Sequence, residues 1–463
     1  MKNIFVAALF GVALLGCSRK GSLESSSLDA PTNWSLKRSA AEAQLRSFVA
    51  DKQTQAMTAA KAAGGDAVPP EYKTLFAAAN KGDWPTVRSA FHEMRNRAPQ
   101  YSHNGPDDER LTGTAWAAVL ETYGAYECFT GMGDKYSIAF GKGIADSIPA
   151  GAIYFGGTDP GRFLVTAMCK SQIKGDPFFT ITQNALADGS YLAYLRAMYG
   201  DQIYAATDGD SSNCFSAYIQ GAAQRRAANQ LKPGEVVNVG VNGQVQISGQ
   251  TAVMEVNALI AKIIFDKNPD HEFYVEESFP LDWMYPLLEP HGLIMKINRQ
   301  PASVMPDDVV TADHQFWTTY LAPMIGDWLK DDTSVDQISS FVEKVYVKHD
   351  LAGFTGDREF VTTKDPQKAF SKLRGSIAGL YAWRHKHAND ASERERMGRE
   401  ADFAFRQAWA LCPYSPEAVF RYVELLSGEN RKSDALIVAR TASKLDPGNF
   451  QTRQIVQQLE RGQ

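Results

Sequence analysis

Apolar positions along this chain change their period three times, and each change marks a boundary. From Ile4 to Leu15 they form one short run behind Lys2, too short for a permanent bilayer span and of the length of a secretory signal core. Helical spacing dominates residues 33–133 and everything after residue 300. Between them, over 134–300, the runs Ala152 to Phe155, Phe178 to Thr182, Gln202 to Ala205, Phe273 to Val275 and Leu293 to Ile297 alternate with helical patterns. That alternation predicts an α/β central domain, a mostly parallel sheet covered by helices and flanked by α-helical regions. One insertion interrupts it, because EVVNVGV-NG-QVQIS places Asn242-Gly243 between alternating valines, the signature of a two-residue hairpin. The helix after it gathers Val253, Val256, Leu259, Ile260 and Ile263 on one face, expected to cover the sheet.

A longer repeat lies near the C-terminus. Ala401, Phe405, Ala408 and Pro413 return as Ala435, Ala439, Ala442 and Pro447, each 34 positions later. Small residues at that interval let two antiparallel helices approach, and the proline ends the second; the pattern resembles the tetratricopeptide repeat. Val419, Tyr422, Val423 and Leu426 fill the first helix of the later unit, as Ile377, Ala378 and Tyr381 do in the earlier one. There Ala378 and Ala401 are 23 apart where the family has 12, and the excess falls in HKHANDASERERMGR, expected as a solvated extension of the turn. Gly82, Val87, Phe91, Met94 and Pro99 repeat the same spacing once near the N-terminus. The resulting organisation is a signal peptide over 1–16, a tether over 17–32, a helical region with a tetratricopeptide-like hairpin over 33–133, the α/β domain over 134–300, a helical linker over 301–364, and a repeat region over 365–463.

The signal ends in Leu14-Leu15-Gly16-Cys17, which resembles the lipobox of bacterial lipoproteins, with Cys17 as the thiol that receives the lipid. Ser18 stands where the family's inner-membrane retention signal has Asp, so the resemblance implies an outer-membrane address facing the periplasm. The Ser-rich stretch from Ser18 to Thr32 reads as a flexible tether. Cys128, Cys169, Cys214 and Cys412 have no Cys-x-x-Cys spacing, which argues against a zinc framework and leaves buried thiols or one disulfide open. A net charge of -5 without a Lys/Arg run argues against a nucleic-acid partner.

The most suggestive chemistry is GAIYFGGTDPGRF, residues 151–163: a strand, then a glycine turn carrying one acid and one base. Together with the later TQNALADGSYL, it resembles the soluble part of bacterial membrane proteins of unknown function related to protein O-mannosyltransferases. The resemblance implies the fold, while the membrane region that would hold transferase chemistry is missing. A turn at the carboxyl end of a strand is where α/β proteins place ligands, so Gly156, Gly157, Thr158, Asp159 and Arg162 are candidate ligand-binding residues, with turn geometry as the alternative. Asn184 and Asp188 are candidate co-ligands, or helix caps. Asp208 and Asp210 form an Asp-x-Asp pair, a weak metal candidate that also makes a good turn.

No catalytic constellation and no cofactor motif emerges. The eight histidines include no His-Glu-x-x-His, Glu276-Glu277 reads as a solvated strand end, and His291 as a turn residue. Trp283, Tyr285, Trp317 and Tyr320 would make a sugar-stacking shelf only if at least two were exposed; otherwise they are core. The expectation is a lipid-anchored envelope scaffold that binds protein partners through repeat helices. The alternative is a glycan-binding or glycosyl-transfer accessory using the Gly/Asp turn.

Overall fold

A computed structural model describes residues 33–65, 68–99, 101, 107–169, 178–239, 245–276 and 281–461, with side chains from residue 42 onward. The signal, Cys17 and the tether lie outside the described residues. The helices, in chain order, are α1 (Asn33–Ala62), α2 (Pro70–Lys81), α3 (Trp84–Arg97), α4 (Trp116–Ala145), α5 (Val165–Met168), α6 (Gly189–Tyr199), α7 (Asp208–Ala227) and α8 (Gln250–Lys267). They continue as α9 (Asp307–Ile325), α10 (Val335–Val342), α11 (Arg358–Thr362), α12 (Lys364–His387), α13 (Ala391–Leu411), α14 (Pro416–Gly428), α15 (Lys432–Leu445) and α16 (Phe450–Arg461). The strands are β1 (Ile153–Gly156), β2 (Phe179–Thr182), β3 (Val236–Val239), β4 (Val245–Ser248), β5 (Phe273–Glu276), β6 (Leu288–His291) and β7 (Ile294–Ile297).

The chain divides into two compact units, both discontinuous. The first takes Met1–Glu127, Ala167–Asp176 and Thr182–Pro269; the second takes Cys128–Thr166, Pro177–Ile181 and Asp270–Gln463. Residues 134–300, read from sequence as one block, are shared between them.

In the first unit α1 packs on α2 and α6. The α2–α3 hairpin turns at Gly82, which sits at φ 73, a region that favours glycine, and Asp83 then caps α3 by accepting from Thr86 N. Its core holds one buried charge pair: Lys52, 2% exposed, reaches Glu121 at 2.5 Å and Gln55 at 2.7 Å, and Tyr194 Oη donates to both acceptors. The run Gln202 to Ala205 forms no strand. Asn268 instead clasps Tyr204, its Oδ1 accepting from Tyr204 N at 2.7 Å and its Nδ2 donating to Tyr204 O at 3.0 Å. A side-chain amide thus does what a neighbouring strand would have done.

The β3–β4 hairpin is present and antiparallel, but it is a separate two-stranded sheet packed against α7 and is not inserted in the larger one. Its Asn242-Gly243 turn lies outside the described residues. Helix α8 buries Val256 and Ile260, leaves Val253 and Ile263 half-buried and Leu259 exposed, and packs on α7 and β4.

The second unit carries the five-stranded sheet, in the order β2-β1-β5-β7-β6. It is mixed and not mostly parallel: β1 and β5 are parallel, and β5, β7 and β6 are successively antiparallel. The β6–β7 hairpin turns at Gly292, φ 60. His291, expected in that turn, is the last residue of β6 and donates from Nε2 to Ser147 O at 2.8 Å. Pro290 is tolerated because β6 is an edge strand.

Helix α12 is buried almost all round, the behaviour of a central helix. It touches α11, α13, α14, β6 and β7. Its polar residues enter the core with partners: Ser371 donates to Ala408 O, and Arg384 to Ala302 O and Leu288 O. Arg374, wholly buried, bonds Asp313 of α9 at 2.8 Å and Gln407 of α13 at 2.7 Å, and Tyr381 Oη donates to the same Asp313 oxygen at 2.9 Å. The charged stretch 385–399 is mostly exposed, as expected, but apart from 388–390 it is helical and not an extension of the turn. The excess residues lengthen α12 and α13 to 24 and 21 residues, against 13 and 14 in the next pair. Glu393 is buried there, accepting from Met305 N at 2.9 Å.

None of the four described cysteines is in a disulfide; Cys169, Cys214 and Cys412 are buried, and Cys128 is half-buried. Trp317 and Tyr285 are buried and Trp283 and Tyr320 half-buried, so these aromatics are core and not a shelf.

Removing one partner of the Asp313–Arg374 pair would strand a charge without water. Arg374→Met should lower the urea-unfolding free energy by about 3–5 kcal/mol, and adding Asp313→Leu should recover much of it. Equal stability of single and double variants would show that the pair does not organise this core.

Candidate functional site

The glycine turn is built by two strand ends that lie side by side. β1 finishes at Gly156 directly opposite Glu276, the last residue of β5, so the Glu276 side chain enters the turn from beneath. Its Oε2 accepts from Gly157 N at 2.9 Å and Thr158 N at 2.7 Å, and its Oε1 accepts from Thr158 Oγ1 at 2.6 Å. These are the amides that the sequence offered to an external anion. They hold an internal carboxylate instead.

Glycine is required for this arrangement. A Cβ on Gly161 would sit 1.9 Å from Glu276 Oε2, and one on Gly156 would sit 2.8 Å from the Arg162 Cα. Gly161 N donates to Thr158 Oγ1 at 3.0 Å, and its carbonyl accepts from Tyr154 Oη at 2.9 Å. After Pro160 the chain makes a π-helical turn, Pro160–Leu164, running into α5. Arg162, buried, is held by Asp159 at 2.5 Å and lies over the Phe163 ring, so the acid and the base of the turn pair with each other.

Glu276 is the opposite of a solvated strand end, being 2% exposed. Burial pushes its carboxyl up to about 7, against the hydrogen bonds from Thr158 and Gly157 and the more distant Lys372 charge, which lower it. A carboxyl near neutrality inside a set of donors is a proton-sensitive joint between β1 and β5.

The remaining sequence candidates have local roles. Asn184 lies in a loop of the first unit clasped by Asn257 of α8, which donates to Asn184 O at 3.1 Å and accepts from Ala187 N at 2.7 Å. Asp188 caps α6 through Ser190 N at 2.8 Å. Asn184 and Asp188 belong to the first unit, and Asp159 and Arg162 to the second. Asp210 completes a capping box with Thr207 and also accepts from Tyr204 Oη, while Asp208 pairs with Arg196 at 2.8 Å. The Asp-x-Asp pair therefore starts a helix. Among the described residues no group of three or more His, Cys, Asp or Glu is placed to hold a metal.

A second cluster escaped the sequence reading. In the second unit a cleft of about 460 Å³ opens between α9, the segment Leu329–Asp332 and Phe403 of α13. His314 stands in its wall, Nε2 2.9 Å from Asp331 Oδ1 and Nδ1 3.4 Å from Glu400 Oε2, with its ring stacked on Phe403 at 4.5 Å. The hydrogen bond to Glu400 raises the His314 pKa, burial opposes it, and Asp331 raises it further. The sequence did carry one signal: Val310, Asp313, Trp317 and Leu321 form the buried stripe of α9, and an acid on such a stripe demands a buried partner. That partner, Arg374, lies 61 residues away, beyond any local motif.

No family model, no curated protein and no solved structure matches this chain. No described helix is long and apolar enough to cross a membrane.

The Glu276 geometry sets a pH dependence. Its folded pKa, about 7, lies above the reference 4.5, so its contribution to stability is complete below 4.5 and is lost as pH rises through 7. Between those limits the native protein should lose up to about 3 kcal/mol relative to Glu276→Gln, which keeps the acceptor and cannot ionise. Parallel urea-stability curves for the two proteins across that window would contradict it.

Proposed function

We propose that this protein is a lipid-anchored envelope scaffold, tethered through Cys17 and binding a protein partner on tetratricopeptide-like helices. The observation that carries the reading is the burial of the 34-residue set. Ala401, Phe405, Ala408, Ala435, Ala439 and Ala442 are all buried, and each helix of α12–α16 packs on the next. Small residues at those places allow the close approach that a stacked helical array needs. Signal, lipobox and Ser-rich tether in that order support the envelope address.

The array offers its surface unevenly. α12 is committed to the core and the long α13 packs also on α9 and α10, whereas α14 and α16 keep Glu417, Glu424, Gln451, Gln454 and Gln458 exposed. The intervals from Glu417 to Gln451 and from Glu424 to Gln458 again equal the repeat period, so these residues would share one stripe along the first helices of successive units. α16 carries a mostly polar outer side, as the closing helix of a solenoid does. No observation favours the alternative glycan role at the Gly/Asp turn, whose amides and guanidinium have protein partners.

Truncation after Asp365 would remove the central helix and unfold the second unit, so surface substitution is the informative test. Crosslinking in intact envelopes should recover one specific protein with the native chain. Glu424→Lys combined with Gln454→Lys and Gln458→Lys should cut the yield about tenfold, a loss of ~1.4 kcal/mol, without altering the circular dichroism spectrum. Unchanged recovery would remove this face from the binding role. Cys17→Ser should move the protein from the membrane fraction to the soluble one, and continued firm sedimentation with membranes would remove the anchor.

A further inference from the structure

The β3–β4 ribbon of the first unit leaves half of its backbone unused. Each strand of a two-stranded antiparallel sheet spends alternate residues on its partner, and the N–H and C=O groups of the others point outward. Among the described residues no hydrogen bond reaches β3 or β4 apart from those of their own ladder, Val236↔Ser248 to Val239↔Val245. β4 packs on α7 and α8, while β3, which packs on α7, is the more exposed strand. Val236 is 45% exposed and Val239 47%, with Asn238 exposed between them.

The chemistry of the edge decides what covers it. A row of outward amides and carbonyls is matched by an extended strand, whose own row has the same spacing. Edge strands that stay alone carry a charge, a proline or a covering side chain. The larger sheet is guarded in this way, since its edge strand β6 contains Pro290 and Arg384 Nη2 donates to Leu288 O at 3.2 Å. β3 has no such guard. No charged residue occurs from Val236 to Met254; Glu235 before it is buried on Arg225 and Tyr218, and Glu255 after it pairs with Lys232. A strand without charge gives no foothold to a charged peptide and no repulsion to its own copy. Antiparallel pairing about a two-fold axis then sets like side chains against like on both faces of the sheet.

We infer that β3 is a self-association edge: two copies of this chain pair their β3 strands antiparallel about a two-fold axis, joining two hairpins into one four-stranded sheet. The inference does not depend on the scaffold role, because α12–α16 belong to the other unit. Four residues a side bury far less than the roughly 1,000 Å² of a stable interface, so the dimer is a transient one.

Sedimentation equilibrium of the purified protein tests this. The native chain should show a reversible monomer–dimer equilibrium with a Kd of about 0.1 mM. Asn238→Lys and Asn238→Glu, each at an exposed position that should leave the circular dichroism spectrum unchanged, should weaken it about fivefold when measured alone. An equimolar mixture of the two variants should associate at least as tightly as the native chain, because opposite charges then meet across the new pair of strands. Gln246→Lys, opposite Asn238 on the same face of the ribbon but on β4, should leave the equilibrium unchanged. A native chain that stays monomeric at about 0.5 mM would leave the edge to a strand of another protein and overturn the assignment. Equal weakening by Gln246→Lys, or a mixture that fails to associate, would overturn it as well.

Discussion

A charge that cannot reach water must find its counter-charge inside the protein, and Arg374 is where that requirement organises the second unit. Its guanidinium ties α12 to Asp313 of α9 and to Gln407 of α13, and Tyr381, two turns further along α12, donates to the same Asp313 oxygen. Apolar packing alone would let α12 rotate or slide among its neighbours at modest cost. A buried ion pair fixes one register, because any other leaves two charges desolvated and alone. His314, the next residue on α9, lines the cleft, and Glu400, which holds it, belongs to the same α13 that carries Gln407. Core registry and cleft geometry are therefore set by the same three helices.

Glu276 shows the same logic at the end of a sheet. Backbone amides at a glycine turn attract negative charge wherever it comes from, and here the parallel neighbour of β1 delivers it from within. The Gly156–Glu276 pairing could form only if the turn lacked side chains, which is why Gly156 and Gly161 are spatially constrained. The turn thus looks like a ligand loop in sequence and behaves like a joint in the fold.

Much of the architecture could be read from local pattern. The apolar runs of β1, β2, β5 and β7 and the helices α12–α15 follow from periodicity, since each buries residues at its own period. What could not be read was set by partners distant in sequence. Gln202 to Ala205 has strand composition, yet Asn268 satisfies its backbone. Glu276 reads as a solvated end until β1 is placed beside it. The Gly/Asp turn was visible as a feature and its occupant was not. His314 carries no motif at all, because its meaning depends on Asp331 and Glu400, which reach it from different elements.

The contrast between the two clusters bears on which one is open to a ligand. At the glycine turn donors and acceptors match: two amides and a hydroxyl meet one carboxylate, and the lone acid and base pair with each other. Any incoming anion must displace Glu276 into a buried environment, where an ionised carboxylate without hydrogen bonds is expensive. At His314 the bonding is incomplete: Thr318 Oγ1 is shielded without a partner, and Gln315 and Thr319 line the same cleft beside the exposed Asp331 and Asp332. A site is therefore better sought where the protein leaves its own bonding incomplete than where a motif suggests a shape.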